Sequence, residues 1–430
     1  MLKTSFQLPP NTFSELRFGP AEALEFEALA EAVVRETLDD YEDYLYVNDR
    51  KVDRRVWKTV RRKERVCVYK QRQQQREQFQ QLRTVGGEFD AIVSKASTPV
   101  MLTVGDVVGT LDDAMYGAFA DSTEGMRMRT SYLNDAIDDV QVLQKFQGPT
   151  PEDPYRFCGL VWYTSEGFHC PFVKRRDISL LMSMGLTTTS RGERIGYYLM
   201  HSVDIPQIRP LPELKLVRLK MSLCYLMRQL DDDRIDIFQK GFIAPMGDMP
   251  EFALVAGASM SLASAGNTVQ ASYAKKLAWM FTQARHNKNS YNETDECGGC
   301  HTRVGSKIKE NGGCMICKKP VCTRCKVQHK ITVHVTAHGF KQKYFAFCVA
   351  CVVRAKQLDA FEIAQQHVTN NDSLWACGSH GPLSTCSSDA SASSASSGEE
   401  ARQSLTTKHR LLLSGHSTRS TSSTHGMKIL

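Results

Sequence analysis

The apolar positions of this chain change period twice along its length. Between residues 20 and 46, Leu24, Leu29, Val33, Val34 and Leu38 recur at helical spacing with acids on the opposite face, which predicts an amphipathic helix. From about residue 176 the period becomes two. Ile178, Leu180, Met182 and Met184 alternate with less apolar neighbours, a polar turn runs from Thr187 to Glu193, and a second strand runs from Arg194 to Val203. Val217, Leu219, Met221, Leu223, Tyr225 and Met227 predict a third strand, with Arg218, Lys220, Ser222 and Arg228 on its other side. Asp231-Asp232-Asp233 predicts the next turn, and Ile235 to Ile243 a fourth strand. Strands of this length joined by short polar turns predict an antiparallel meander.

After Pro250 the pattern is helical again, to about Phe281. Pro250 suits the first helical position, Glu251 the positive N-terminus, and Lys275 and Lys276 the far end. Residues 252–274 carry no charge, but Ser259, Ser261, Ser264, Asn267, Thr268, Gln270 and Ser272 are too many polar groups for a hydrocarbon core. The expectation is a helix packed over a sheet.

Composition adds bounds. With 430 residues, 42% hydrophobic and 23% charged, the chain has ample length for a large core before residue 285. Arg50 to Arg76 is rich in Arg, Lys and Gln, with Val66 and Val68 alternating, and predicts an exposed strand and loop. Gln71 to Gln81 reads as an exposed loop or helical turn. From 372 to 430 the chain is Ser/Thr-rich, a composition that predicts a disordered tail.

The cysteines carry the sharpest chemistry. Eight of the 14 form four CxxC pairs: Cys297/Cys300, Cys314/Cys317, Cys322/Cys325 and Cys348/Cys351. A CxxC turn aims two thiolates at one point, so two turns complete a tetrahedral Zn²⁺ site and four turns make two. No secretory signal opens the chain, which argues against a disulfide framework. His301, His329, His334 and His338 lie nearby, but eight thiolates already fill two four-coordinate sites. Cys67, Cys158, Cys170 and Cys224 are isolated and read as inert core thiols. No nucleophile elbow, Walker loop or HExxH is present, and a Zn(Cys)₄ site has no open position for catalysis, so the expectation is a protein that is not an enzyme.

The run from Cys314 to Cys325 reads CxxC-x4-CxxC, and resembles the middle of a FYVE-type zinc finger. RING and LIM fingers place a His in the cluster and fit less well. The resemblance implies a cross-brace: Cys297, Cys300, Cys322 and Cys325 on one ion, and Cys314, Cys317, Cys348 and Cys351 on the other. FYVE fingers that bind phosphatidylinositol 3-phosphate carry WxxD, R(R/K)HHCR and RVC elements. The matching stretches here are Asn292 to Glu296, Glu310 to Met315 and Ala346 to Cys348, and none has the motif. A FYVE-related finger without specificity for that headgroup is expected.

Upstream, Arg176-Asp177, Gly192-Glu193-Arg194 and His201-Ser202-Val203-Asp204 resemble a START-like lipid-binding domain. The turn Pro245 to Pro250 resembles the DPxGxIP turn before the last START helix, with Ala244 where Asp is usual. The resemblance is best over about 170–283. It implies an α+β helix-grip fold, a curved antiparallel sheet with a long C-terminal helix around an apolar cavity. START-like domains joined to FYVE-type fingers recur in oomycete proteins, and this chain looks like one of them. The expected organisation is a START-like domain (1–285), a linker (286–296), a small cross-brace zinc finger (297–356), a helical extension (357–371) and the tail.

Between residues 297 and 356 there are twelve Lys or Arg and one acid, Glu310. Two Zn(Cys)₄ centres are themselves anionic, but the segment stays basic after counting them. Lys318, Lys319, Arg324, Lys326 and Lys330 lie where FYVE fingers meet the membrane, and are the expected docking surface for anionic lipid. The leading expectation is a peripheral lipid-binding or lipid-sensing protein, cytoplasmic and on endosomal membranes, with an apolar lipid in its cavity. The alternative is a non-lipid adaptor whose finger binds a small GTPase or another protein. Nucleic acid is the weaker partner, since aromatic and basic residues do not interleave. Apolar alternation is what any packed sheet requires, so it singles out no cavity residue.

Overall fold

The structure, a computed structural model, describes residues 6–72, 98–133, 137–165, 174–286, 294–305, 313–336 and 339–370. Helix α1 (Pro20–Glu42) lies where the first helical period predicts it, and continues into a π-helical turn, Asp43–Val47. Its buried side is Phe26, Ala30, Val33, Val34, Thr37 and Tyr41. Leu24, expected on that side, is 64% exposed. Phe26 takes the inner position because it stacks on Phe146 at 5.1 Å and meets Phe18 edge-on at 5.4 Å.

Ten strands form one sheet: β1 (Trp57–Lys63), β2 (Val66–Gln71), β3 (Val100–Val108), β4 (Ile137–Gln147), β5 (Phe157–Ser165), β6 (Arg176–Thr188), β7 (Arg194–Ser202), β8 (Val217–Arg218), β9 (Lys220–Asp231) and β10 (Arg234–Ala244). The order is β1-β2-β3-β10-β9-β7-β6-β5-β4, with β8 beside β6. The predicted meander is present as β6, β7, β9 and β10; β4 and β5, which the pattern did not predict, extend it to the far edge. The sequence pattern did not predict β3, which pairs antiparallel with β10 across Val104 and Phe238. Helices α2 (Leu111–Ala118) and α3 (Thr123–Leu133) then carry the chain from β3, in mid-sheet, to β4 at the far edge.

Two expectations are corrected here. The strand predicted from Val217 to Met227 is broken at Leu219: Val217–Arg218 pairs parallel with β6 before β9 begins. The break lets Arg218 reach fully buried Asp177, with Nε and Nη2 donating to Oδ2 at 3.0 and 2.8 Å, where Trp162 Nε1 also donates at 2.9 Å. The glutamine run expected to be exposed starts with Gln71, which is buried as the last residue of β2. Its residues from 73 to 81 lie outside the described residues, as do Cys170 and the tail from 371 onward. The exposed strand expected over this stretch is found only in β1, which is mostly exposed; β2, which carries the alternating Val66 and Val68, buries both against the sheet.

A third correction concerns the long helix. It is two helices, α4 (Glu251–Leu262) and α5 (Asn267–His286), bent by 45°. Ser/Gly breaks of this kind are a standard cause of kinks, and here Ser264 Oγ bonds back to Met260 O at 3.0 Å just before Gly266. No single helix among the described residues is long and apolar enough to cross a membrane. Arg176, almost fully buried, fixes the turn that launches α4: Nε donates to Pro245 O at 3.3 Å and Nη2 to Met246 O at 3.1 Å. Met246 and Gly247 of that turn have φ of 48° and 60°.

Both faces of the sheet are covered. One core lies under α1 and contains Leu160, Trp162, Leu199, Leu226 and Phe238. The other lies under α2, α3, α4 and the start of α5. Helices α2 and α5 cross so closely that a Cβ on Gly117 would sit 1.7 Å from Thr268 O. Lys275 and Lys276 do not serve the end of their own helix. Both are buried, and Lys275 Nζ caps the C-terminal carbonyls of α2, at 2.6 Å from Tyr116 O and 2.9 Å from Gly117 O.

The C-terminal module is a hairpin, β11 (Lys326–Thr336) and β12 (Gly339–Cys348), followed by α6 (Val349–Gln357) and α7 (Ala360–Thr369). Residues 294–296, expected in the linker, belong to it: Val304 N donates to Asp295 O at 2.8 Å, and Glu296 bridges to Arg303. Helix α7 returns to the large domain, where Phe361 packs on Tyr155 at 6.0 Å and under the Arg194 guanidinium at 5.1 Å.

Candidate metal centres and an apolar cavity

The four CxxC turns fold into two tetrads, Cys297/Cys300/Cys322/Cys325 and Cys314/Cys317/Cys348/Cys351, with all sulfurs of a tetrad within 4.8 Å of one another. These are the interleaved sets that the cross-brace implies. Cys300 and Cys322 Sγ are 3.8 Å apart, as are Cys317 and Cys348 Sγ. That is far beyond a disulfide bond of about 2.05 Å. It is the edge of a tetrahedron whose centre lies about 2.3 Å from each sulfur, the Zn–S distance.

Backbone amides supply the surrounding support. Gly299 N and Cys322 N donate to Cys297 Sγ, Ile316 N to Cys314 Sγ and Cys351 N to Cys348 Sγ, each at 3.4 Å. Such donors offset thiolate charge and fix ligand orientation, so the donor set fits a soft, four-coordinate cation. Gly299 is required locally: a Cβ there would lie 2.7 Å from Cys325 Cβ. No histidine enters either tetrad. His301 and His334 are exposed, His329 is half-buried, and His338 lies outside the described residues.

Of the five expected docking cations, Arg324, Lys326 and Lys330 are exposed, and Lys330 Nζ lies 5.3 Å over the Tyr344 ring. Lys318 and Lys319 are half-buried, because the turn after Cys317 folds back: Lys318 takes φ of 61° and its Nζ donates to Met315 O at 2.9 Å.

Two of the isolated cysteines lie in the core as expected, and one does not. Cys158 and Cys224 are buried, and burial pushes each thiol up to about 12. Cys67 is half-buried in β2.

Sequence reasoning named no cavity residues, yet the structure has a cavity of about 500 Å³ between the sheet and the α4–α5 bend. Its walls are mainly apolar. Strand β9 contributes Met221, Leu223, Tyr225 and Met227; β6 and β7 add Ile178, Met182, Tyr198 and Met200. Gly257, Ala258, Met260 and Leu262 of α4 form the lid, and Met126, Arg129 and Leu133 of α3 one wall. The predicted β9 stripe thus faces free space. Methionine suits this lining because its flexible thioether adapts to more than one occupant shape. The main polar group is the Arg129 guanidinium, buried, with Nη1 donating to Tyr198 OH at 2.9 Å. Tyr198 stacks with Tyr225 at 6.3 Å, and burial raises the Tyr225 phenol well above its ordinary range, so it stays neutral. The cavity size lies within the roughly 300–1,000 Å³ usual for ligand pockets.

No protein-family model and no curated protein matches this chain. Among solved structures it is similar to human StAR-related lipid transfer protein 5, with 13% identity and a TM-score of 0.39, covering 59% of this chain and 97% of that one. It is also similar to human STARD10, with 14% identity, a TM-score of 0.36, and 57% and 84% coverage. A STAR-related lipid transfer protein fragment from Xanthomonas axonopodis is similar at 11% identity and a TM-score of 0.32, with 50% and 97% coverage.

Proposed function

We propose that this chain is a zinc-containing peripheral lipid-binding protein: its cavity takes an apolar lipid, and its finger docks on an anionic membrane, as on the cytoplasmic face of endosomes. The observation that carries the reading is the roughly 500 Å³ apolar cavity, lidded by α4 and held open over the Met-rich face of β9. A preformed apolar pocket with few polar groups is the general form of a small-molecule site. Two Zn²⁺ are the ions the all-thiolate tetrads suit best. Arg324, Lys326 and Lys330 give the exposed charge for docking, worth about 1 kcal/mol each near an anionic surface.

The test has three arms. Metal analysis should give two zinc ions per chain. Nile Red should bind the purified chain with a blue shift and be displaced by lipids extracted from cells. Vesicles containing phosphatidylserine should co-sediment the chain, with loss at high salt and loss in the Arg324→Glu, Lys326→Glu, Lys330→Glu variant. Sedimentation that ignores salt and the charge reversal would remove the membrane-docking part. A strong preference for phosphatidylinositol 3-phosphate over other anionic lipids at equal charge would overturn the generic, charge-driven form of it.

The second reading, a protein-binding adaptor, is supported by a different surface. Val349 and Val353 of α6 lie one turn apart and are 40% and 46% exposed. An apolar pair on a helix suits a protein partner such as a small GTPase. Capture of such a partner by the wild type and by the Glu variant alike, without vesicle binding, would favour this reading.

A further inference from the structure

The cavity and the finger share two walls. Helix α3 turns Met126, Arg129 and Leu133 into the cavity. Other residues of the same helix hold the β11–β12 hairpin. Ser131 Oγ and Thr332 Oγ1 are 2.7 Å apart, Thr332 N donates to Tyr132 OH at 3.2 Å, and Arg127 Nη1 donates to Thr336 O at 3.4 Å. Gln342 Nε2 donates to Ser131 O at 3.1 Å, which satisfies a carbonyl in the last turn of α3. Helix α5 is divided in the same way. Asn267 and Thr268 border the cavity, while Leu277, Ala278, Met280 and Phe281 form one core with Ile316, Ile331 and Phe347 of the finger. Phe281 lies 4.8 Å from Phe345 and 6.1 Å from Phe347.

The hairpin that grips these helices is rooted in both tetrads. Its first strand starts immediately after Cys325 and its second ends on Cys348, and Lys326 pairs with Cys348. An isolated two-stranded hairpin is marginal in water, and small metal-bound modules derive most of their folding free energy from the ion. Without metal the hairpin has no fixed base. The Ser131, Tyr132 and Gln342 contacts then lose their geometry, and α3 loses the partner on its outer side.

We propose that metal occupancy of the two tetrads sets the cavity's affinity for its apolar ligand, with α3 and α5 as the shared mechanical elements. The inference rests on the lipid-binding reading above. Coupling between two sites is reciprocal, so the cavity ligand must also tighten metal retention by the same factor. Measured couplings commonly span about 5–150-fold, so a change of about tenfold is the size to look for.

The experiment uses the full chain with its metal. Nile Red affinity is measured before and after removal of metal by excess EDTA under reducing conditions, and metal affinity is titrated against a competing chelator with and without bound dye. Expected are a dye affinity weaker by about tenfold after chelation, and a metal affinity raised by the same factor when dye is bound. Amide exchange should rise in residues 123–133 and 326–348 and stay low in β9 and β10. The variant Ser131→Ala, Thr332→Val, Gln342→Ala keeps all eight cysteines and touches no cavity-lining residue. It should keep two metals and bind dye, with the metal dependence reduced to within about twofold. Gln342→Ala alone should show a partial loss of coupling, and serves if the triple variant does not fold. Chelation that removes both ions and leaves dye affinity within twofold overturns the coupling while the lipid-binding reading stands. Exchange rising across β9 and β10 overturns it as well, because dye loss would then report general unfolding. A metal-loaded chain that binds no dye at all removes the lipid-binding reading itself.

Discussion

Replacing Lys276 by Met should weaken the attachment of the end of α6 to the large domain and lower its stability. Lys276 Nζ donates to Asp113 Oδ1 at 2.7 Å, to Lys356 O at 2.7 Å and to Leu358 O at 2.9 Å. One ammonium thus ties α5 to α2 and to the end of α6. The side chains of Lys276 and Asp113 are 1% and 6% exposed. Met keeps the volume and removes the charge. Asp113 then retains only hydroxyl donors, Ser272 at 2.6 Å and Thr110 at 3.0 Å, and two carbonyls lose a donor. Removing one partner of a buried ion pair costs about 3–5 kcal/mol, because the other charge stays buried. At about 2–4 °C per kcal/mol for a domain of this size, the melting temperature should fall by about 6–20 °C. Adding Asp113→Asn removes the orphaned charge while keeping the Ser272 contact, so the double variant should recover part of the loss. Calorimetry on the wild type, both single variants and the double variant measures the coupling. A fall under about 2 °C for Lys276→Met, or losses that simply add in the double variant, would refute the argument that this pair is a buried, mutually dependent clamp.

Two further outcomes follow from burial and from the cavity. His201 is buried, with Nδ1 2.9 Å from Ser222 Oγ, and desolvation lowers it from 6.5 to about 4. The unfolded chain therefore takes up a proton near 6.5 that the folded chain refuses until about 4, so this group's effect is a loss of stability as pH falls through that window, worth about 3 kcal/mol at its low end. Urea titrations from pH 7 to 4 should show a shallower loss for His201→Asn, and parallel curves would refute the assignment. Ala258 of α4 is buried and borders the cavity. Ala258→Trp should fill the cavity and weaken Nile Red binding at least tenfold with two metals retained. The stability change should stay within the roughly 1–3 kcal/mol of an overpacked site, and undiminished dye binding would place the dye elsewhere.

How much of this could be read from the sequence depended on how local each feature is. Strands β6, β7, β9 and β10 were legible because alternation and turns act over a few residues. The cysteine tetrads were legible because a CxxC turn fixes half a site by itself; which halves combine came from a resemblance, and the tetrads have that pairing. Strand β3 was missed because its place beside β10 depends on a partner more than a hundred residues away. Lys275 and Lys276 were legible as cations near a helix end, but the wrong helix: their ammonium groups serve α2 and α6, which touch α5 only in the folded chain.

The cavity is the instructive case, because no pattern could have separated it from a packed core. Met221, Leu223, Tyr225 and Met227 alternate in the way that Cys224 and Leu226 do on the opposite face of the same strand. The periodicity requires only that one face leave water. Whether that face meets side chains or free space is decided by the element above it. Over the Cys224 face, α1 lies close and supplies Phe26, Val33 and Tyr41 to a buried core. Over the Met221 face, α4 supplies Gly257 and Ala258, and the bend before Asn267 turns α5 away by 45°. Small residues and a kink, placed opposite the Met, Leu and Tyr side chains of β9, leave the volume unfilled. An unbent helix with Leu at those two positions would fill the space and abolish the site, with the strand pattern unchanged. The information that leaves this space open therefore lies in the uncharged, Ser- and Gly-containing run from 252 to 274, whose lack of charge by itself implies only a buried helix.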